Sequence, residues 1–355
     1  MVKRPAAAPA AKAPRGPSVH PLQLRKIQLT GGSSYTVTLP KEWVEKAELA
    51  AGDVVGFVAQ NDGSLAVYPG ARREAPAVRY EVELSHEDAE RAFRKIVAAY
   101  IAGFDVIVVR SKKPLSGELK RAVRQATRRI IGIEVVEEDA HSVVLQDFLD
   151  PREFHIEKGL RRMEALTRAM QEDAVRAFHE DLDDLEDLFT ERDDEVDRLY
   201  WMVNKQYHGV MRDPAYAQRM NVSMAQALNF LLVARLTERT ADHAYRLAES
   251  LQALRAGEHH DKLDAKIEKQ ARRAIQLFSE AVTAFHRADA EAANKLIGEA
   301  KAFRQTQENV IKDALRLGGE SILHVAYALE SISRTAAYAA DVAETAINHK
   351  VALGP

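Results

Sequence analysis

The 355-residue chain contains no cysteine. This absence excludes a disulfide scaffold, cysteine-ligated zinc, iron–sulfur clusters and thiol catalysis. Any metal ion must therefore be bound by aspartate, glutamate or histidine side chains. The sequence also lacks an apolar run of about 18 residues, so we expect no membrane-spanning helix.

The chain also lacks a large excess of either charge, because 50 basic and 53 acidic residues give a formal net charge of −3. A generally basic coat for nucleic acid is excluded, so any such contact must be local. Residues 1–20 form an Ala/Pro-rich tail without the apolar core of a secretory signal. We expect this tail to be disordered, with a weak electrostatic arm for polyanions as the alternative. The lack of a signal segment and of cysteine favours a cytoplasmic protein.

Composition changes twice along the chain, which predicts a multidomain protein. The length and the 46% hydrophobic content are sufficient for two or three packed cores. Residues 21–70 are β-like, residues 78–150 alternate strand-like runs with amphipathic helices, and residues 151–350 are almost wholly helical in pattern.

The first of these segments contains short strand-like runs around one short helix. Pro40 suits the first turn of a helix that we predict to end at Ala47. Four short strands in about fifty residues bury little apolar surface by themselves. The segment therefore predicts a partner copy in an intertwined dimer. The predicted strands are Leu24–Leu29, Tyr35–Leu39, Val54–Ala59 and Leu65–Tyr68.

Arg25-Lys26-Ile27, Gly32-Ser33-Ser34-Tyr35, Thr38 to Val44 and Gly52-Asp53-Val54 together resemble the AbrB/SpoVT class of swapped-hairpin domains. In that class two copies interlace into one β-barrel, and many members bind DNA through basic residues and loops on one face of the dimer. Basic side chains and backbone amides of a Gly-Ser loop also suit phosphate contacts. The alternative is a dimerisation module with solvated charges. The resemblance implies DNA contacts by Arg25, Lys26, Ser33, Ser34 and Lys41.

The middle segment has a β-α-β-α-β-β pattern, which predicts a small α+β domain. Its two predicted helices span His86–Ala102 and Leu115–Ile130. The second helix is basic, and we favour a solvated helix face over a patch for anions or nucleic acid. Its cationic residues are Lys120, Arg121, Arg124, Arg128 and Arg129. The predicted strands are Arg79–Leu84, Phe104–Val109, Ile133–Val136 and Ser142–Leu145.

An internal repeat divides the helical segment into two copies, residues 153–256 and 258–349. Ala174–His179 matches Ala281–His286, and Arg239–Ala241 matches Arg334–Ala336. The first copy is longer around Tyr207–Arg219, where Pro214 predicts a loop. We therefore expect two tandem three-helix bundles.

Two pairs of acidic residues in the first copy lie four positions apart, so each pair shares a helix face. They are Asp193 with Asp197, and Glu238 with Asp242. Two antiparallel helices would bring these carboxylates together, and their repulsion would need a bound cation or a nearby arginine, Arg192 or Arg239. Spacing alone is weak evidence, because acidic runs are usually solvated.

The string from Glu238 to Ala244, Glu-Arg-Thr-Ala-Asp-His-Ala, resembles the third-helix signature of the PhoU family, and Asp193–Asp197 resembles its second-helix acidic motif. That family is a tandem pair of three-helix bundles that regulates phosphate uptake through a phosphate ABC transporter and, in many bacteria, its sensor kinase. Several members bind metal clusters through these motifs. The resemblance implies one metal site, for Fe, Zn, Mn or Mg, formed by Asp193, Asp197, Glu238 and Asp242.

We also make predictions for the residues that neighbour this site in the sequence. Asp194 and Glu195 could supplement or replace Asp193. We expect His243 to pack rather than to bind metal, because on a helix it points away from Asp242.

The second copy departs from the family pattern at the corresponding positions. Ser333 replaces Glu238, Ala337 replaces Asp242 and Tyr338 replaces His243. We therefore expect the family's second metal site to be lost.

Three functions remain open at this point. The first is a phosphate-responsive, DNA-binding regulator, which an AbrB-like domain ahead of a PhoU-like domain favours, since this arrangement resembles one common in archaea. The second is a signalling adaptor for a phosphate ABC transporter, in which the N-terminal domain only dimerises the chain. The third, a carboxylate-bridged di-metal enzyme, is disfavoured because the bundle lacks a Glu-x-x-His pair.

Overall fold

The computed structural model describes residues 23–59, 63–70, 77–84, 89–150, 153–180, 184–257, 261–314 and 321–354. The expected disordered tail lies outside these ranges. The chain divides into two compact units, Met1–Pro76 and Ala77–Pro355. The predicted fold class is confirmed, with a strand-rich N-terminal region, a middle α/β region and a largely helical C-terminal region. No helix in the ranges above is long and apolar enough to cross a membrane.

The first unit consists of two antiparallel hairpins and a short helix. Strand β1 (Gln28–Thr30) pairs with β2 (Ser34–Thr36), and β3 (Val55–Ala59) pairs with β4 (Leu65–Pro69). Helix α1 (Lys41–Lys46) lies between them and follows Pro40, as the sequence predicts. The strands of the first hairpin are shorter than predicted at their outer ends, since residues 24–27 and 37–39 are not paired as strand. The turn between them occupies Gly31–Ser33, with both glycines at positive φ.

The apolar side chains of this unit are largely exposed. Leu29, Tyr35, Phe57 and Leu65 are 60%, 77%, 53% and 58% exposed, respectively. Helix α1 buries none of its residues. In a single copy of this unit, the apolar side chains of the strands are therefore not buried in a core.

The middle region is a four-stranded mixed sheet with two helices. Its order is β5-β6-β8-β7, in which β5 is parallel to β6 and the other pairings are antiparallel. The alternation predicted from the sequence places Val82, Ile107, Val143 and Leu145 in one buried cluster with the helices. The elements are β5 (Arg79–Leu84), α2 (Ala89–Ile101), β6 (Val106–Ser111), α3 (Gly117–Arg129), β7 (Ile133–Glu138) and β8 (Ser142–Asp147).

The helical region contains two successive sets of three long helices, in agreement with the repeat. The segment Tyr207–Arg219, predicted as a loop, instead contains the end of one helix and a short helix that starts at Pro214 and is capped by the Asp213 side chain. Proline ends the preceding helix but suits the first turn of a new one. The elements are α4 (Ile156–Arg176), α5 (Leu185–Arg212), α6 (Pro214–Met220), α7 (Met224–Ala256), α8 (Asp261–Arg287), α9 (Ala290–Ala314) and α10 (Ser321–Ala352).

The helices of each set pack on one another, and α10 also packs along α7. One apolar cluster therefore runs through both sets. Phe230 of α7 and Phe285 of α8 meet edge to face with ring centroids 5.7 Å apart, a favoured aromatic geometry. The two repeats share this core.

Helix α5 also packs on the middle region. Trp201 lies 5.7 Å from the ring of Phe93 in α2. Arg212 donates hydrogen bonds to the carbonyl oxygens of Ala102 and Gly103, at 3.1 and 2.7 Å. The middle sheet and the helical bundles are thus held together through α5.

Candidate functional site

Helices α5 and α7 carry the predicted acidic pairs on the faces that meet. Val196 and Leu199 are 0% and 1% exposed, which fixes the rotation of α5 against the bundle. Asp193 and Asp197 lie beside this apolar stripe and are half-buried. On α7, a capping box between Ser223 and Gln226 starts the helix.

The four carboxylates act on one another electrostatically, as the sequence predicts. Burial, together with the charges of Asp242 and Asp197, raises the pKa of Asp193 to about 7. Burial and the charges of Glu238 and Asp242 raise the pKa of Asp197 to about 7. Burial raises the pKa of Glu238 and of Asp242 as well. We call Asp193, Asp197, Glu238 and Asp242 the acidic cluster.

Arginines on α7 compensate part of this charge. Arg235 lies 3.3 Å from Glu238, and Arg239 lies 3.7 Å from Glu238 and 4.0 Å from Asp242. Arg192, the other candidate partner, is instead bound to Asp173 of α4 at 2.5 Å. The arginines of α7 therefore compensate Glu238 and Asp242, which lie on the same helix.

The two acidic residues that could have replaced Asp193 are bound elsewhere. Asp194 pairs with Arg129 of α3 in the middle region. Glu195 pairs with Arg162 of α4 and with Arg198 of α5, each at 2.9 Å. Both carboxylates already have cationic partners outside the pairs Asp193–Asp197 and Glu238–Asp242.

His243 faces the second repeat. Its Nδ1 lies 3.4 Å from the Ser331 hydroxyl, and its ring lies 5.9 Å from that of Tyr338. Burial lowers its pKa to about 4, so the imidazole is neutral at physiological pH. This position agrees with a packing role.

The donor chemistry of the acidic cluster fits a hard or borderline cation, because carboxylate oxygens are the ligands that such ions prefer. Glu238 Oε2 is buried and accepts no hydrogen bond, and Arg239 Nε lies 3.7 Å away from it. Within the ranges that the structure describes, however, no three acidic or histidine side chains are arranged to hold a metal ion. Binding would therefore require side-chain rotations that draw the carboxylates together.

In the second repeat, Ser333 and Ala337 stand at the positions that correspond to Glu238 and Asp242, so these two carboxylates have no counterpart there. Ser333 and Ala337 line an open cavity of about 740 Å³ between α9 and α10, whose charged lining residues are Lys301, Arg304, Glu330, Arg334 and Asp341.

The residues predicted to contact DNA are all exposed on the first unit. Arg25 and Lys26 lie shortly before β1, separated from it by Ile27, and Ser33 and Ser34 lie at the turn into β2. Lys41 starts α1 and lies 3.6 Å from Glu45. The hairpin thus presents four of the five residues at its two ends.

Arg129 and Arg235 are the residues that sequence reasoning missed at the acidic cluster. Arg129 was assigned to a solvated helix face, yet it binds Asp194 and lies 5.0 Å above the ring of Phe93. No local pattern distinguishes it from its basic neighbours on α3. Its role depends on α5 packing against α3, a contact between distant parts of the sequence.

Comparison with known families finds matches to two domains. Residues 160–251 match the PhoU domain, and residues 28–75 match MazE, the antidote-toxin recognition domain of bacterial antitoxins. The predicted combination of a PhoU-like domain with an AbrB-like N-terminal domain is confirmed. No curated protein matches the chain.

Among solved structures, the phosphate transport system regulatory protein PhoU from Streptococcus pneumoniae is similar to this chain. The identity is 12%, the match covers 56% of this chain and 98% of the other, and the TM-score is 0.37.

Proposed function

We propose that this chain, which contains a PhoU domain behind a MazE/AbrB-like N-terminal domain, is a DNA-binding regulator of phosphate uptake rather than an enzyme. The observation that carries the proposal is the pairing of the two domains in one chain. The PhoU domain connects it to phosphate transport, and the N-terminal domain supplies a means of acting on DNA. The alternative is an adaptor for a phosphate ABC transporter component, in which the N-terminal domain only dimerises the chain.

The N-terminal unit supports a dimer. Exposed Leu29, Tyr35, Phe57 and Leu65 would be covered if two copies interlaced into one β-barrel. Burial of apolar surface contributes about 25 cal/mol per Å², so a partner copy supplies the core that a single copy lacks. In such a dimer the basic ends of two hairpins would double the charge offered to DNA phosphates.

Dimerisation can be tested on the full-length chain. We expect light scattering to give twice the monomer mass of 39.5 kDa at micromolar concentration. Phe57→Glu should place a charge in the proposed barrel and reduce the measured mass, whereas Glu48→Gln on the exposed surface should not. A monomeric wild-type protein would contradict the interlaced arrangement.

Binding to DNA is tested by pull-down of sheared host genomic DNA at about 0.15 M salt. We expect fragments upstream of phosphate-transport genes to be enriched by the full-length protein and not by a chain that starts at Ala77. No enrichment would leave the adaptor as the better proposal.

The contribution of single residues is measured on an enriched fragment. Arg25→Ala and Lys26→Ala should each weaken binding. Each should also make the negative slope of log affinity against log salt less steep by about one for each phosphate that is no longer neutralised. Lys46→Ala removes the same charge from an exposed position of α1 and serves as the control. If all three variants behave alike, Arg25 and Lys26 do not touch the DNA.

We also propose that the acidic cluster holds one metal ion, with Asp193, Asp197, Glu238 and Asp242 as ligands and Fe, Zn, Mn or Mg as candidates. A bound cation would supply positive charge where burial and mutual repulsion raise the pKa of these groups. Its effect would reach the middle region through Asp194 and Arg129, which join α5 to α3.

A further inference from the structure

A cleft lies between α4 and α8, where the two repeats meet, and none of the four residues of the acidic cluster lines it. It has a volume of about 530 Å³, within the range of small-ligand sites. We call it the inter-repeat cleft. Its polar lining includes Arg161, Arg168, Gln171, Ser279, His286 and Arg287.

Helical spacing places these side chains on facing stripes. On α4, Arg161, Glu164, Arg168 and Gln171 follow one another at intervals of three or four residues, so they lie along one face. Apolar Phe278 of α8 forms part of the opposite wall. The cleft therefore combines a cationic mouth with a partly apolar interior.

Gln171 is the feature that points to a ligand. Its side chain is 3% exposed, yet its Nε2 has no hydrogen-bond partner. A buried amide donor without a partner is costly, and native proteins rarely leave one unsatisfied. Because this atom is buried from solvent, a ligand would reach it after the Gln171 side chain rotates toward the cleft, and the hydrogen bond formed there would remove this cost.

The one carboxylate that lines the cleft already has a partner. Glu164 accepts hydrogen bonds from His286 Nε2 at 2.9 and 2.7 Å, and both side chains are about nine-tenths buried. Arg161 pairs with Glu157 at 2.7 Å and Arg168 with Glu172 at 3.0 Å along the surface of α4. Arg287 lies exposed at the rim.

The hydrogen-bond donors that remain in the cleft, rather than its net charge, favour an oxyanion. Each paired arginine keeps further N–H groups beyond those used by its glutamate, because a guanidinium carries five donors. Guanidinium groups from two helices suit an oxyanion with several acceptor oxygens better than a cation or a neutral ligand.

We propose that the inter-repeat cleft binds a small phosphate-bearing anion, held by the Gln171 amide and by the guanidinium groups of Arg161, Arg168 and Arg287. The ligand is either inorganic phosphate or a phosphate ester, whose organic part would lie against Phe278. It would bridge α4 of the first repeat and α8 of the second. The proposal is independent of DNA binding and of the metal site.

Binding is measured by isothermal titration calorimetry on the full-length protein, in a phosphate-free buffer. Inorganic phosphate, tripolyphosphate and ATP are titrated separately, so that the free ion and the esters are distinguished, and acetate tests for unspecific anion binding. We expect at least one phosphate compound to bind with one site per chain, and acetate to bind far more weakly.

Two variants locate the site. Arg287→Gln and Gln171→Leu should each weaken binding about tenfold, because each removes a donor to a charged ligand. Gln171→Leu should leave the ligand-free melting temperature unchanged or higher, because it removes an unsatisfied buried donor. Arg128→Gln, an exposed arginine of α3, makes the same charge change as Arg287→Gln elsewhere and should bind like the wild type.

Three results would overturn the proposal: no binding of any phosphate compound, equal binding of acetate, or an affinity that falls as much in Arg128→Gln as in Arg287→Gln. The DNA pull-down has a separate readout. A protein that enriches its operator fragments without binding phosphate compounds would refute only the inter-repeat cleft.

Discussion

Replacing Lys205 by methionine should lower the free energy of unfolding by about 3–5 kcal/mol, the range measured when one partner of a buried ion pair is removed. Lys205 of α5 and Asp147 of β8 form an ion pair with side chains only 10% and 8% exposed. Methionine keeps most of the volume of lysine, so the destabilisation would come from the charge left behind on Asp147.

The surroundings of Lys205 explain the size of this effect. Its ammonium lies 4.5 Å from the centre of the Tyr100 ring, which adds a cation–π contact. Burial lowers the pKa of Lys205 and raises that of Asp147, while each charge opposes the shift of the other. Because both side chains are buried, solvent offers neither charge a substitute for its partner.

A double variant separates the charge effect from packing. Asp147→Asn with Lys205→Met removes both charges, and the asparagine can still accept the hydrogen bond from the Leu149 amide. We expect urea unfolding to show that most of the stability is restored. Lys158→Met, at an exposed position of α4, should stay within about 0.5 kcal/mol of the wild type. If the double variant is as unstable as Lys205→Met alone, the loss of stability comes from packing and not from the unpaired charge.

This pair illustrates what the sequence could not provide. The strand Arg79–Leu84 is predicted residue for residue, because its side chains alternate and its pattern is local. The three-helix repeats follow from apolar periodicity in the same way. The burial of Lys205 depends on a partner 58 positions away in the chain, and lysine in a helix is ordinarily exposed.

The candidate site likewise has features that local spacing predicts and features that depend on the packing of distant helices. Spacing places Asp193 with Asp197 and Glu238 with Asp242 on common helix faces, and the pKa shifts agree with their mutual approach. Arg192 was one of the two arginines expected to neutralise the acidic cluster. It instead binds Asp173 of α4. Which of several nearby acids an arginine selects is decided by helix rotation and crossing, which residue spacing does not specify.

Helix α5 connects these observations, because it carries the acidic pair on one part of its surface and contacts the middle region with another. Asp194 directly follows Asp193 in sequence and is bound to Arg129 of α3. The charge of Arg129 also opposes the upward pKa shifts of Asp193 and Asp197. A change of charge in the acidic cluster therefore acts on a residue of the middle region.

The second large effect concerns the charge of the acidic cluster itself. Folding raises the pKa of Asp193 and Asp197 from their usual value near 3.8 to about 7. The folded protein then holds protons that the unfolded chain releases, so its stability falls as the pH rises from about 4 through 7. Metal-free wild-type protein should therefore melt at a lower temperature at pH 8 than at pH 5.5.

Asp193→Asn with Asp197→Asn should remove most of this dependence. Because the carboxylates are only partly buried, we expect a gain on the order of 1–2 kcal/mol at pH 8 in chelator-treated protein. That corresponds to about 2–4 °C per kcal/mol in a domain of this size. The same variant should lose bound metal, measured by elemental mass spectrometry of protein purified without chelator.

The two readouts together distinguish a metal site from a merely repulsive cluster. Glu191→Gln with Glu308→Gln neutralises two exposed acids on α5 and α9 and should change neither the pH profile nor the metal content. If Asp193→Asn with Asp197→Asn flattens the pH profile while metal content stays at the wild-type level, the carboxylates repel one another but the metal lies elsewhere. If the bound metal is lost as well, the same two carboxylates destabilise the metal-free protein by repulsion and bind the cation that would neutralise them.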